Sequence, residues 1–199
     1  MRTNGEHVFE VVDARNQSEL TAPPPCGSKV LHLEVGESGV DSSFLALPSP
    51  RGPRWVRAMF YAPASSFEAL AAQPDRNQAL VRWTAGTQVI GSDTVVNYRW
   101  NESGTFIQWR TSPPLQQDGS GGLPQIPSDR WTCVEFGFDP EARTVAGIDG
   151  TLFDANESSI ADAFVGDVFY AHLGLLGGLL PTTLYVDDIV VSNERIPCP

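Results

Sequence analysis

Residues 131–138, with the sequence WTCVEFGF, decide the fold class of this chain. Bulky apolar side chains alternate with smaller or polar ones along this stretch, which is the period-two pattern of a strand that buries one face. A second short apolar run at Val145–Ile148 leads into Asp149-Gly150. Because Asp-Gly is a strong signal for a two-residue hairpin turn, we expect antiparallel strands in this region.

The same alternation continues on both sides of this region, and helical periodicity is nearly absent. Turn signals separate eleven to thirteen predicted short strands, which is typical of a sandwich or jelly roll. We therefore predict an all-β fold with one domain over residues 1–199. The strands predicted outside residues 131–150 are Val8–Val12, Lys29–Val35, Arg54–Tyr61, Ala79–Trp83, Gln88–Ile90, Val95–Trp100, Thr105–Arg110, one or two within Phe164–Leu176, and Leu184–Ser192.

Three segments interrupt the predicted strands. Ala22–Pro25 contains three consecutive prolines, which lack amide donors and predict a rigid connector. Phe67–Ala72 is the best candidate for a helical turn, because Pro74 follows soon after it. Residues 112–128 are rich in Pro, Gly and Gln and predict a long polar loop, of the kind that binds ligands or is mobile.

Composition and charge exclude several classes of protein. The 199 residues are 41% hydrophobic and carry a formal net charge of −11. An acidic chain lacks the basic surface from which nucleic-acid binding takes most of its affinity. No apolar run is long enough for a transmembrane helix. Residues 1–6 have no signal-peptide pattern, so the chain is either cytoplasmic or a mature segment whose leader has been removed.

The three cysteines Cys26, Cys133 and Cys198 permit one disulfide and one free thiol. Their spacing fits no zinc-binding pattern. Antiparallel pairing of Lys29–Val35 with the last strand would bring Cys26 near Cys198. The sequence leaves all three possible connectivities open.

Three segments in this order resemble the concanavalin A-like lectin/glucanase superfamily: Arg54–Phe60, Trp131–Phe136 with Asp149-Gly150 downstream, and Leu184–Val191. The likeness spans roughly residues 30 to 198 and is greatest to uncharacterised secreted or lipoprotein members from Gram-negative bacteria. It implies a two-sheet antiparallel jelly-roll sandwich in a secreted, periplasmic or cell-surface protein. Cys133 and Cys198 belong to the segments that carry the resemblance, which therefore implies a Cys133–Cys198 disulfide as the first choice.

The sequence lacks the catalytic patterns that this resemblance would otherwise suggest. Glucanases of the superfamily carry an E-x-D-x-x-E strand, whose carboxylates act as nucleophile and general acid, and no such triplet occurs here. The alginate-lyase signatures are also missing, and Pro127 follows Gln125-Ile126 where a histidine would stand. The leading hypothesis is therefore a carbohydrate-binding module without catalysis.

Polar and aromatic residues inside the predicted strands form the candidate ligand site. Arginines there lie opposite their apolar neighbours, and in a jelly roll the outer, concave face of one sheet is the usual ligand groove. Guanidinium groups suit uronate or sulfate, and aromatic rings suit sugar faces, although solvated strand faces would give the same pattern. The candidate ligand-binding residues are Trp55, Arg57, Tyr61, Arg82, Asn97, Arg99, Gln108, Arg110, Glu135 and His172.

Three further hypotheses stay open. A polysaccharide lyase needs a base, an acid and a group that neutralises the uronate carboxylate, for which Tyr170 and His172 with Arg57 and Gln108 are candidates. A calcium site is possible at the acidic pair formed by Asp187 and Asp188. The third hypothesis is a structural or protein-binding envelope module. The sequence does not decide the oligomeric state.

Overall fold

Two antiparallel sheets pack face to face in the computed structural model of the protein. The structure describes residues 7–35, 41–48, 54–72, 78–85, 94–101, 104–111, 116–138, 144–155, 169–178 and 182–199. The chain passes several times from one sheet to the other.

Seven strands form the first sheet, and every neighbouring pair of strands in it is antiparallel. Its strands are β1 (His7–Asp13), β2 (Lys29–Val35), β4 (Arg54–Tyr61), β9 (Trp131–Phe138), β10 (Thr144–Ile148), β11 (Thr151–Ala155) and β13 (Thr182–Ser192). Their order across the sheet is β1-β2-β13-β4-β9-β10-β11. The strand Lys29–Val35 does pair with the last strand, yet the disulfide partner of Cys198 is Cys133 and not Cys26.

Six strands form the second sheet, which is also antiparallel. Its strands are β3 (Asp41–Pro48), β5 (Gln78–Ala85), β6 (Thr94–Asn101), β7 (Gly104–Thr111), β8 (Gln116–Leu123) and β12 (Phe169–Gly178). Their order across the sheet is β3-β12-β5-β6-β7-β8. The predicted hairpin of β6 and β7 lies in the middle of this sheet.

Helices are short and few in the described part of the chain. A 3-10 helix at Ala14–Asn16 follows β1, and Asp13 caps it by accepting a hydrogen bond from the Arg15 amide. The α-helix α1 spans Ala64–Ala71, three residues earlier than the predicted start. No described helix combines the length and the apolar character that a membrane span needs.

The core between the sheets follows from the alternation within the strands. Val56, Ala58 and Phe60 of β4 are almost completely buried in it, as are Val134 and Phe136 of β9. These residues carry the inward half of the period-two pattern, because successive strand residues face opposite sides of a sheet. Their neighbours Arg57 and Glu135 consequently lie on the outer face of the seven-stranded sheet.

One predicted element needs correction, and one observed strand was not predicted. Residues 112–128 were expected to form a loop, yet β8 lies within them and pairs with β7. β3 had no sequence prediction and forms the edge of the six-stranded sheet. The predicted strand at Gln88–Ile90 lies outside the described residues. The predicted turn at Asp149-Gly150 is confirmed, because both residues have positive φ, as a type I′ hairpin requires.

Candidate functional site

Aromatic rings line up across four strands on the outer face of the seven-stranded sheet. In register these are His32, Tyr185, Tyr61 and Trp131. The His32 and Tyr185 rings are stacked with centroids 4.8 Å apart, and the Tyr61 ring lies 5.5 Å from that of Trp131. The row therefore forms a small second core rather than an open platform for sugars.

The connector between β1 and β2, residues 17–28, covers this aromatic row. The Tyr61 hydroxyl donates to the Glu19 carbonyl at 2.8 Å and accepts from the Thr21 amide at 3.1 Å. The Trp131 indole donates to the Ala22 carbonyl at 3.2 Å. The predicted proline connector thus seals this part of the outer face.

The C-terminal tail, residues 193–199, covers the neighbouring part of the same face. The buried Glu135 carboxylate accepts hydrogen bonds from the Arg195 guanidinium at 2.6 and 3.1 Å and from the Cys198 amide at 3.1 Å. A Cys133–Cys198 disulfide fixes the end of the tail, which confirms the first-choice connectivity. Cys26 carries a free, exposed thiol.

The acidic pair in β13 binds protein groups. A register shift between Asp187 and Val190, with positive φ at Asp188, marks a β-bulge. The Asp188 carboxylate pairs with Arg57 at 2.7 Å, and Asp187 accepts from the Cys26 amide at 2.8 Å. The hypothesis of a calcium site at this pair loses support, because a guanidinium already neutralises one carboxylate. Among the described residues, no group of three His, Cys, Asp or Glu could hold a metal ion.

Four of the ten candidate ligand residues lie on the seven-stranded sheet, apart from the other six. Trp55, Arg57 and Tyr61 belong to β4, and Glu135 belongs to β9. Trp55, Tyr61 and Glu135 are buried, and Arg57 is held by Asp188 and the Pro197 carbonyl. The prediction that they join the other six on one face is wrong. Parity within a strand shows which face a residue occupies, but it does not show which sheet contains the strand.

The remaining six candidates all belong to the six-stranded sheet, and four share one register level. His172 pairs with Arg82, Arg82 pairs with Asn97, and Asn97 pairs with Gln108. Directly paired residues of antiparallel strands occupy the same face. We call these four residues the polar row. It crosses β12, β5, β6 and β7 and spans about 14 Å at the usual strand spacing.

Register also assigns the polar row to the outer face. Val81 precedes Arg82 and is packed in the core with 1% of its surface exposed. Leu173 and Tyr98 pair with Val81 and therefore belong to the same, core-facing side of the sheet. Arg82 follows Val81 on β5, so Arg82 and the residues paired with it belong to the outer face.

Two more arginines flank the polar row. Arg99 stands two residues beyond Asn97 on β6, and Arg110 stands two residues beyond Gln108 on β7. Because the strands are antiparallel, the two arginines occupy the same face on opposite sides of the row. Tyr170 occupies the level of Arg110, next to His172 on β12. This sheet therefore collects three arginine positions on its outer face.

The sequence missed one neighbour of the polar row. Gln117 of β8 pairs with Arg110 and extends the polar surface to a fifth strand. Its segment was predicted as a loop because three glycines and few β-branched residues obscure the alternation in β8.

Solved structures with this fold include proteins that act on or respond to polysaccharides. The chain is similar to the cellulose induced protein Cip1, with a TM-score of 0.68 and 14% identity over 98% of this chain and 90% of that one. It is also similar to an endo-β-1,4-glucuronan lyase from the fungus Trichoderma reesei, with a TM-score of 0.60 and 11% identity over 96% and 89% of the two chains. The alginate lyase A1-II' follows with a TM-score of 0.52 and 10% identity over 94% of each chain.

These likenesses confirm the predicted fold class, a two-sheet antiparallel jelly-roll sandwich. No protein-family model matches the sequence, and no curated protein is similar to it. At identities this low, the likenesses show the fold alone, so the chemistry of the site has to be argued from the residues of this chain.

Proposed function

We propose that this chain is a carbohydrate-binding module that holds a polysaccharide with acidic groups on the outer face of its six-stranded sheet. The polar row carries the proposal, because it brings an arginine, two amides and a histidine to one register level. Guanidinium groups bind carboxylate and sulfate through paired, charge-assisted hydrogen bonds. Amide side chains can both donate to and accept from sugar hydroxyls.

The opposite outer face supports this choice of sheet. The connector and the C-terminal tail cover much of the seven-stranded sheet, and they engage the polar groups that a ligand would need. A ligand there would have to displace hydrogen bonds that the protein already makes.

An extracytoplasmic location belongs to the same proposal. The chain forms a disulfide between Cys133 and Cys198, and such bonds persist mainly in oxidising compartments. A polysaccharide ligand outside the cytoplasm is consistent with that chemistry.

Affinity electrophoresis in gels containing polygalacturonate, alginate or chondroitin sulfate tests the proposal. We expect retardation by at least one acidic polymer and none by neutral hydroxyethylcellulose. Arg82→Ala should weaken the binding about tenfold or more, because a charge-assisted hydrogen bond is lost. Arg15→Ala is the matched control, since it removes the same charge from an exposed position beside the connector. Equal retardation of all three proteins, or none of the wild type, would contradict the proposal.

A lyase is the second candidate, and the position of Tyr170 favours it. His172 on β12 pairs with Arg82 on β5, and Tyr170 pairs with Thr84, so Tyr170 is a diagonal neighbour of Arg82. An acid or base and a carboxylate-neutralising group therefore occupy neighbouring positions. Arg82 takes the neutralising role that was predicted for Arg57, which lies on the other sheet. Two of the solved structures with this fold are named as lyases of acidic polysaccharides.

Near-ultraviolet absorbance during incubation with glucuronan, alginate or polygalacturonate tests this second candidate, because β-elimination creates an unsaturated uronate. A lyase should give a rising signal that Tyr170→Phe abolishes while binding is retained. A flat trace from wild-type protein that binds the same polymer would leave the chain as a binding module.

A further inference from the structure

A β-bulge at Leu80 lies two residues before Arg82. Leu80 and Val81 are consecutive in β5, yet both are packed in the core, with 0% and 1% of their surfaces exposed. A regular strand would place them on opposite faces. The register explains the exception, because Ala79 and Val81 pair with Arg99 and Tyr98, which are adjacent. Leu80 is therefore the extra residue of a bulge.

Two neighbouring irregularities lie at the same level of the sheet. The register of β12 against β5 shifts between Leu173 and Leu176, on the same side of the polar row as Leu80. The register of β8 against β7 shifts between Ser120 and Leu123, again on that side. We call Leu80 together with residues 174–175 and 121–122 the bulge line. It runs parallel to the polar row, beyond one level of regular pairs.

Bulges bend the strands that contain them and increase their local twist, and they re-aim the side chains beside them. Several bulges at one level curve a whole sheet. The polar row and the level next to it are regularly paired from β12 to β7, and the irregular level lies just beyond them. Arg99 stands opposite the bulge in β5, so the bulge also sets the spacing between the positions of Arg82 and Arg99.

We propose that the bulge line is a positioning element of the ligand site, which curves the six-stranded sheet so that the polar row and Arg99 contact one extended ligand lying across the strands. Leu80 is then a positioning residue that acts through Arg82 and Arg99 without touching the ligand. This inference rests on the proposed function, because it assumes that the polar row binds an acidic polysaccharide.

Deletion of Leu80, which removes the extra residue, tests the inference against the substitution Leu80→Ala. Both variants lose the same buried side chain, but Leu80→Ala keeps the residue count and therefore the bulge. We expect the deletion to bind an alginate or polygalacturonate oligosaccharide at least about fivefold more weakly than Leu80→Ala in calorimetric titration. Thermal unfolding of both variants confirms that each is folded at the titration temperature.

A second pair of variants covers the case in which the deletion of Leu80 does not fold. Deletion of Gly121 shortens the bulge in the edge strand β8, and Gly121→Ala keeps the residue count. The same ordering of affinities is expected. Equal affinity within a folded pair would overturn the inference.

Arg82→Ala, titrated in parallel, separates this inference from the proposed function. If Arg82→Ala weakens binding while each deletion equals its control, the site stands and the positioning role is wrong. If Arg82→Ala binds like the wild type, or the wild type binds no acidic oligosaccharide, the proposed function falls and the inference falls with it.

Discussion

Glu135 of β9 is a carboxylate that the C-terminal tail covers. It has the parity of an outward-facing strand residue, yet only 1% of its surface is exposed. Its carboxylate is satisfied by Arg195 and the Cys198 amide, which stand 60 and 63 residues away in sequence. A buried carboxylate without such partners would be strongly destabilising, so the tail and Glu135 require one another. The alternation within a strand shows which residues face outward, but it does not show whether a distant segment of the chain covers that face.

Tyr185 makes a pH-dependent contribution to stability. Burial of the ring, followed by the nearby Glu19 carboxylate, raises the pKa of its hydroxyl well above the ordinary value. In the unfolded chain the phenol ionises near pH 10, whereas in the folded chain it stays neutral at that pH. Its contribution is therefore complete below about pH 10 and is lost as the pH rises towards the folded pKa.

Urea unfolding of wild type and Tyr185→Phe between pH 8 and pH 11 measures this contribution. The wild-type free energy of unfolding should fall more steeply above about pH 10 than that of the variant. The variant also loses hydrogen bonds to Glu19 and Gln17, which lowers its stability at every pH, so the slope is the quantity to compare. Parallel curves would contradict the assignment.

Among the elements, the C-terminal tail depends most on a covalent constraint. The Cys133–Cys198 disulfide joins residues 65 apart in sequence and holds the tail over Glu135 and Arg57. Closing a loop of this length restricts the unfolded chain and contributes about 2–4 kcal/mol.

The double variant Cys133→Ala/Cys198→Ala should lower the free energy of unfolding by about 2–4 kcal/mol. Urea denaturation under non-reducing conditions measures the change. Cys26→Ala is the control, because the Cys26 thiol is free and exposed, and we expect it to unfold like the wild type. A double variant as stable as this control would show that the tail is held by its hydrogen bonds alone.

Most elements were predictable, and those that were not have physical reasons. β2, β4 and β9 begin and end at the predicted residues, because strong alternation and flanking turn residues mark them. β8 was not predicted because glycines take the positions at which side chains would show the period-two pattern of a strand. The bulge at Leu80 was not predicted because a bulge is defined by the pairing of two strands. That pairing depends on contacts between residues distant in sequence.

Only part of the candidate site was predicted, because the pairing of strands depends on contacts distant in sequence. Parity separates outward from inward positions only where a strand has no bulge, and six of the ten predicted residues share the six-stranded sheet. The order of strands in the sheets decides which of those positions become neighbours. Arg57 and Arg82 looked equivalent in sequence, yet β4 and β5 belong to different sheets.

At the scale of the whole molecule, the two outer faces differ in how they are used. The protein covers much of one with its connector and tail, while the other collects the polar row and two flanking arginines in a chain of net charge −11. Clustered arginines in an acidic protein make a local site for anions without making the whole surface attractive to them. Binding to an acidic polymer should therefore weaken as salt rises.

Amide hydrogen exchange with and without an acidic oligosaccharide tests this division of the faces most directly. The free protein and its complex with a saturating alginate or polygalacturonate oligosaccharide are compared peptide by peptide. We expect slower exchange in β5, β6, β7 and β12 and unchanged exchange in the connector and the C-terminal tail. Protection confined to residues 17–28 or 193–199, or no protection anywhere, would contradict the proposed function.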